Sequence, residues 1–395
     1  MSIFADIFGK SKNTNDIVLI FDIGSSSVGG AFFHIQKGGA PNIIFSTREP
    51  LLLEEKVEVS KLFELAVKAL KVVATRASIA GIGSPTKIFC VLSSPWYASQ
   101  TRVIKLTKDT PFIFTKEFAD SLIGKEVDLF EEEYGSLDGH TTNKVKTIEI
   151  KNMKTLLNGY VSNDPINKKI KEIGMTIFIS MSHEDIFKKI EEAVKRHFNA
   201  VSITFSSFLM ASFAVGRSLF INQDNFLLVN IGGEITEISM IKKDIISDSS
   251  SFPLGRNFII RGVAKELQIS LDEARSIISL YKDAHIEKSY VKNVDEVMLK
   301  LKNEWLKSFQ TTLTTLSKDI SIPSTVFITV SEDLALFFSD TIRTEQFNQY
   351  SLTESKFRVI FLNTQSLHGI ATFDDQAQRD VPLLIESIYI NHFLV

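Results

Sequence analysis

Two segments roughly 200 residues apart follow one plan, and this duplication constrains the fold more than any other feature of the chain. Ile17-Val18-Leu19-Ile20-Phe21 is a continuous apolar run, the mark of a strand buried on both faces. A polar turn, Asp22-Ile23-Gly24-Ser25-Ser26-Ser27, and a second run, Val28-Gly29-Gly30-Ala31-Phe32-Phe33, follow it. Phe226-Leu227-Leu228-Val229 opens the second copy, with Asn230-Ile231-Gly232-Gly233-Glu234 as its turn and Ile235–Ile241 as an alternating return strand. A buried hairpin used twice predicts an internally duplicated α/β fold of two lobes. The 395 residues hold two such lobes and a further unit.

Periodicity fills in the rest. Leu62, Leu65, Ala66, Ala69 and Leu70 form one stripe of a helix over Val59–Thr75, and Ile88–Leu92 is a buried strand. From Ser93 to Met175 charge rises, and strands at Arg102–Leu106 and Lys144–Ile150 flank a helix over Lys116–Leu129, which reads as an inserted subdomain. Met175–Met181 is a strand. Ser182 is the expected N-cap of a helix to Phe198, with Asp185 at the capping-box position. Phe198–Gly216 carries no charge and has the length of a membrane span. Ser202, Thr204, Ser206, Ser207 and Ser212 interrupt it, so the expectation is a buried helix. The second half reads as helices over Asn257–Leu267, Leu271–Tyr281 and Val294–Leu316, a strand over Val326–Val330, a helix over Glu332–Ile342, a strand over Phe357–Leu362 and a closing helix over Val381–Phe393.

Composition excludes several classes. Net charge is −3, so no global basic field holds nucleic acid. The single Cys90 rules out an intramolecular disulfide framework and a multi-cysteine zinc site, and a reducing compartment follows. In a buried strand it reads as a small hydrophobe. Phe is in excess, 31 against 7 Tyr and 2 Trp. Phe21, Phe32, Phe33, Phe226, Phe327 and Phe361 fall in elements the lobes would bury. Trp96 and Tyr97 read either as a packed aromatic pair or as a partner contact. Met1–Lys12 lacks the features of a signal peptide. It places Ile3, Phe4, Ile7 and Phe8 on one helical face with Lys10 and Lys12 behind, an amphipathic segment (residues 1–15) that reads either as a weak contact with a membrane surface or as a frayed end that packs on the domain or stays disordered.

The two turns carry the chemistry. An Asp-x-Gly turn followed by small residues exposes consecutive backbone N–H groups and hydroxyls, a nest for a phosphate. Asp22 at its mouth can hold a hydrated Mg²⁺ or orient a water. Phe21–Val28 closely resembles the first phosphate motif of the FtsA/PilM branch of the actin-like ATPase superfamily, and Val229–Ile238 is similar to its second. Ser251-Phe252-Pro253-Leu254-Gly255 with Ile260-Arg261-Gly262-Val263-Ala264 resembles the segment after that motif. Ile203–Val215 and Val381–Phe393 match the two connecting helices. The resemblance, from Asp16 to Val395, implies a two-lobed actin-like fold (ribonuclease H-like, duplicated) with an inserted small α+β subdomain. The first lobe takes 16–92 and 176–222, the insertion 93–175, and the second lobe 223–395 with its closing helix returning to the first. It implies ATP and Mg²⁺ as cofactors. Gly24, Ser25, Ser26, Ser27, Asn230, Gly232, Gly233 and Glu234 would bind nucleotide, and Asp22 would be the catalytic residue and hold Mg²⁺ through water.

Three positions depart from that pattern. Asn230 stands where the second motif opens with Asp. Val330-Ser331-Glu332-Asp333 replaces the Gly pair of the adenosine motif. Arg275 and Ile278 stand where the small-lobe helix offers Glu and Lys. These changes predict ATP binding that is weak or lost, and at most a slow ATPase. The resemblance implies a cytoplasmic scaffold, peripheral at the inner face of the membrane. It would be PilM-like, binding a pilus-assembly membrane protein, or FtsA-like, binding a division filament peptide, with self-association as a further property. The lack of a linker and basic helix after the closing helix points to PilM. The alternative is an active Mg-ATP-dependent ATPase that polymerises or switches with nucleotide.

Overall fold

The computed structural model describes residues 16–137, 144–199, 201–283, 285, 288–317, 321–344, 356–375 and 377–395. The amphipathic start, with Ile3, Phe4, Ile7 and Phe8, lies outside them. The chain opens with β1 (Ile17–Ile23), β2 (Ser27–His34), β3 (Asn42–Pro50), α1 (Val59–Ile79) and β4 (Lys87–Leu92). Next come β5 (Ala98–Phe114), α2 (Lys116–Leu137), β6 (Val145–Leu157), β7 (Tyr160–Val161) and β8 (Lys168–His183). Then α3 (Glu184–Lys195), β9 (Ile203–Ser207) and α4 (Phe208–Leu219) lead to the second copy: β10 (Phe226–Ile231), β11 (Thr236–Lys242) and β12 (Ile245–Phe252). The remainder is α5 (Arg256–Leu267), α6 (Leu271–Lys282), α7 (Lys288–Leu316), β13 (Thr325–Thr329), α8 (Ala335–Thr344), β14 (Arg358–Phe361), β15 (Thr372–Phe373), α9 (Val381–Tyr389) and a π-helical turn, Ile390–Leu394.

The duplication is visible in the sheets. The first runs β15-β3-β2-β1-β4-β9 and the second β12-β11-β10-β13-β14. In each, the opening strand pairs antiparallel with its hairpin partner and parallel with the strand after the first helical crossover. A strand flanked on both sides needs apolar side chains on both faces. Accordingly Val18–Phe21 and Phe226–Val229 are buried throughout. The lobes are fused through the first core, where α4 and α9 meet Phe226, Leu228 and Phe327 of the second sheet. Phe220 stacks on Phe327 with ring centroids 4.3 Å apart. The phenylalanines expected in the core are buried, except the half-buried Phe361 at the edge strand β14.

Several expectations are corrected. Phe198–Gly216 is not one helix: Ile203–Ser207 alternates and pairs parallel with β4, and Ser207 then caps α4 through its hydroxyl. Pairing with an open sheet edge outweighs helical propensity for this β-branched and aromatic stretch. Ser182 is not an N-cap. It is the penultimate residue of β8, where its hydroxyl donates to the Trp96 carbonyl, and His183 takes the cap position. β3 and β12 escaped the reading because their solvent-facing residues are polar, Ser-rich in β12. The expected helix over Glu332–Ile342 begins only at Ala335. Among the described residues no helix is long and apolar enough to cross a membrane.

The third sheet, β5-β8-β6-β7, carries α2 on one face over its own core. β8 runs as one strand through the boundary expected at 175/176. The sheet's other face docks on the lobes through Thr101 of β5, which donates to the Ile246 carbonyl of β12 (2.8 Å), and through one acid. Glu149 of β6 accepts hydrogen bonds from the Ser206 hydroxyl (3.0 Å), the Ser207 amide (2.9 Å) and hydroxyl, and the Tyr389 hydroxyl (3.4 Å). It ties the third sheet to β9, the α4 cap and α9 at once. Glu149→Ala leaves these part-buried donors without an acceptor. The expected loss is about 3 kcal/mol of unfolding free energy, read by urea denaturation.

Candidate functional site

The two hairpin turns meet face to face between the lobes. Gly24 N–H closes the first turn onto the Ser27 carbonyl (3.1 Å). The Trp96 indole donates to the Gly24 carbonyl (3.1 Å) and packs on Phe63 at 5.2 Å. Trp96 and Tyr97 are both buried, so they are packing residues and not a partner surface. Across the interface the Ser25 hydroxyl accepts from Glu234 N–H (3.0 Å). A Cβ on Gly233 would stand 2.6 Å from the Ser26 Cβ, closer than two carbons can approach. The turns therefore touch, and glycine at 233 is what permits the contact.

Behind the second turn, α5 uses its free N-terminal amides on protein carbonyls. Arg256 N–H donates to Gly232 (2.9 Å) and Asn257 N–H to Gly233 (2.8 Å). Glu234 is buried in a bidentate pair with Arg261 (2.7 Å for each bond) and accepts from the Asn257 amide side chain (2.7 Å). Arg261 also reaches across to the Glu54 carbonyl (2.7 Å). What remains between Ser25, Glu234 and the Leu51–Glu58 loop is a cavity of about 20 Å³, room for one water.

Asp22 is committed to protein as well. Its carboxylate pairs with Arg48 of β3 at 2.7 Å. The same guanidinium forks onto Asp380, the N-cap of α9 (2.5 and 2.8 Å), and donates to the Ser27 hydroxyl (2.8 Å). Glu386 of α9 lies fully buried beside them, and no protein donor faces either of its carboxyl oxygens. Burial and then the Asp22 charge push Glu386 well above the usual carboxylate range. Burial also raises Asp22, against the opposing pull of Arg48.

The remaining expected contacts are placed elsewhere. Asn230 is half-buried on β10, opposite Glu237 and Thr329 in the register. In the adenosine-motif loop, Asp333 pairs with Arg256 (2.5 Å) and accepts from the Ser331 hydroxyl (2.7 Å). Arg275 pairs with Asp272 within α6, and Ile278 is buried in the second core. Thr236 is structural: it donates to the Leu254 carbonyl and accepts from the Trp305 indole. The sequence reading missed Arg48, Asp380 and Glu386. One signal was available, since Gly29-Gly30 inside a strand marks a close approach. A Cβ on Gly29 would lie 2.6 Å from the Arg48 guanidinium. At the turns themselves these residues do not fit a bound Mg²⁺–polyphosphate, because the Asp22 carboxylate holds an arginine and the turns touch; a cavity of about 380 Å³ adjoins them, lined by Glu55, Lys56, Arg261 and Gln268. Among the described residues no group of three or more metal-ligating side chains is placed to hold a metal.

A second buried acid borders the site. Glu237 of β11 accepts from the Tyr97 hydroxyl (3.1 and 3.2 Å), and burial pushes it up to about 7. A carboxyl raised on folding contributes stability below its unfolded value, and that contribution is lost as pH rises through its folded value. Glu237→Gln removes this dependence. The variant should gain about 3 kcal/mol over the wild type at pH 8, relative to their difference at pH 4, in paired urea titrations.

No family model matches the chain. No curated protein matches it either. Solved structures do. A chain of the PilM–PilN type IV pilus biogenesis complex is 15% identical, covering 96% of this chain and 98% of that one, with a TM-score of 0.59. The ethanolamine utilization protein EutJ from Carboxydothermus hydrogenoformans is 11% identical over 96% and 91%, with a TM-score of 0.45. A Bacteroides thetaiotaomicron protein with an actin-like ATPase fold is 9% identical over 90% and 96%, with a TM-score of 0.41. The duplicated sheets, the touching hairpins and the full-length match give one conclusion: the chain has the actin-like ATPase fold and is similar over its length to the matched chain of the PilM–PilN complex.

Proposed function

We propose that this chain is an actin-like scaffold for type IV pilus assembly that works without nucleotide at the cytoplasmic face of the membrane, through a pilus-assembly membrane protein as its partner. The observation that carries the pilus reading is the fold correspondence with a chain of the PilM–PilN complex over nearly the whole of both chains. Support for nucleotide independence comes from the cleft. Asp22 faces Arg48, Ser25 and Ser26 face the second turn, and Glu234 is held by Arg261. In this reading Ser25, Ser26, Gly232, Gly233 and Glu234 are inter-lobe contacts, while Asp22, Gly24 and Ser27 are bound within the first lobe. Their former ligand chemistry is satisfied from within the chain.

Three measurements test this. A fluorescent ATP analogue with Mg²⁺ is titrated against the wild type and Asp22→Ala, with no saturable binding expected up to about 1 mM. Saturable micromolar binding abolished by Asp22→Ala would overturn nucleotide independence in favour of an ATP-driven switch. The cytoplasmic segment of a pilus-assembly membrane protein from the same genome is then titrated against the full chain. Saturable 1:1 binding is expected, and binding of a division-filament peptide instead would replace the pilus role. The membrane part rests on Ile3, Phe4, Ile7 and Phe8. Removing Met1–Lys12 should reduce co-sedimentation with anionic liposomes, and equal partitioning of the two forms would exclude this segment as a contact.

A further inference from the structure

The first hairpin is held to the closing helix by the Arg48 cluster. The guanidinium touches three separate elements: Asp22 of β1, Ser27 at the start of β2, and Asp380 at the N-cap of α9. Asp380 has a second duty, since its side chain accepts from Leu383 N–H and so fixes the first turn of the helix. α9 packs on α4 and on β1, β2 and β3 of the first sheet, and α4 in turn lies against Phe226 and Leu228 of the second sheet, so α9 reaches the other lobe through α4. Arg48 thus joins the first hairpin to α9, while Ser25 and Ser26 of that hairpin receive Glu234 and Gly233 of the other lobe. Glu386 completes the surroundings, buried and without a donor, on the next turns of α9.

We infer that Arg48 is a tethered counter-ion. Its guanidinium lies on the Asp22 carboxylate, where the fold resemblance expects hydrated Mg²⁺, and it locks the first hairpin, whose Ser25 and Ser26 meet the second turn, to the closing helix α9 as a built-in property of the chain. This rests on the cleft geometry and deepens the nucleotide-independent reading; it does not depend on which partner the scaffold binds. Arginine suits the task because it stays charged, cannot dissociate and grips two carboxylates through its planar fork. A lysine would keep the charge and lose the fork. The space is reserved in advance: Gly29 is the strand position over which the guanidinium lies.

The test is hydrogen exchange by mass spectrometry on the full chain, with and without Mg-ATP. The wild type should protect peptides covering Asp22–Ser27, Gly232–Glu237 and Asp380–Glu386, equally in both conditions. Arg48→Met, which keeps bulk and removes charge, should exchange at least about tenfold faster in all three together, while α7 stays unchanged. Arg48→Lys should fall between the two. If Arg48→Met does not fold, Asp380→Asn serves, since asparagine still caps the helix but loses one carboxylate. It should loosen the same three segments. Two results would overturn the inference: variant exchange equal to wild type, or slowing of wild-type hairpin exchange by Mg-ATP. Failure of the pilus reading shows separately, in the partner titration.

Discussion

The first hairpin and the closing helix depend together on one half-buried cation. Arg48 enters from β3 and finds carboxylates from β1 and from the cap of α9. Each carboxylate is costly to bury alone, since desolvation raises Asp22 even with Arg48 beside it. The guanidinium offsets that cost for two of them, and Glu386 avoids it by keeping its proton. Removing the cation would leave uncompensated buried charge, a loss of about 3–5 kcal/mol in comparable sites. The hairpin, the connector helix and the contact between the turns share this requirement, so none can rearrange alone.

The same logic repeats through the cleft with different residues. Arg261 neutralises Glu234, and Arg256 neutralises Asp333. The amides of α5 spend themselves on the second turn. A helix N-terminus and two glycine-rich turns are a ready receptor for an anion, because they present more donors than a fold can satisfy internally. Here the donors do find internal partners: a serine hydroxyl, turn carbonyls and three paired acids. The fold's receptor is built and then filled by the chain itself.

How much of this could be read beforehand follows from the range of each interaction. The strand–turn–strand repeats are local patterns of period two and continuous burial, so the duplicated lobes and both turns were legible from residues 17–33 and 226–241. The departures at Asn230, at Val330–Asp333 and at Arg275 and Ile278 were legible for the same reason. Arg48 was not. Its partner Asp380 lies 332 residues away, and nothing local distinguishes it from an exposed strand arginine. Glu149 is similar: an acid in an alternating strand reads as solvent-facing until the docking of β6 on β9 is known. Ser182 misled for the opposite reason. Its local context is that of a good cap, yet β8 extends two residues further, and the Trp96 carbonyl takes the hydroxyl.

The arrangement is better understood as a device for position than for stability. A buried ion pair often yields to apolar side chains of equal volume without loss of stability. Apolar side chains in place of Arg48 and both acids would pack, but they would impose no register between β3, the first turn and the cap of α9. A planar fork bonded to two carboxylates and a hydroxyl does, because each bond has a direction. The contact at Gly233 makes the same demand in steric form: the turns meet at one offset or collide. Directional bonds on one side of the cleft and a backbone-tight fit on the other leave one relative placement of the lobes. A scaffold that must present a fixed surface to a partner requires such a placement, and a nucleotide-driven switch would require its opposite.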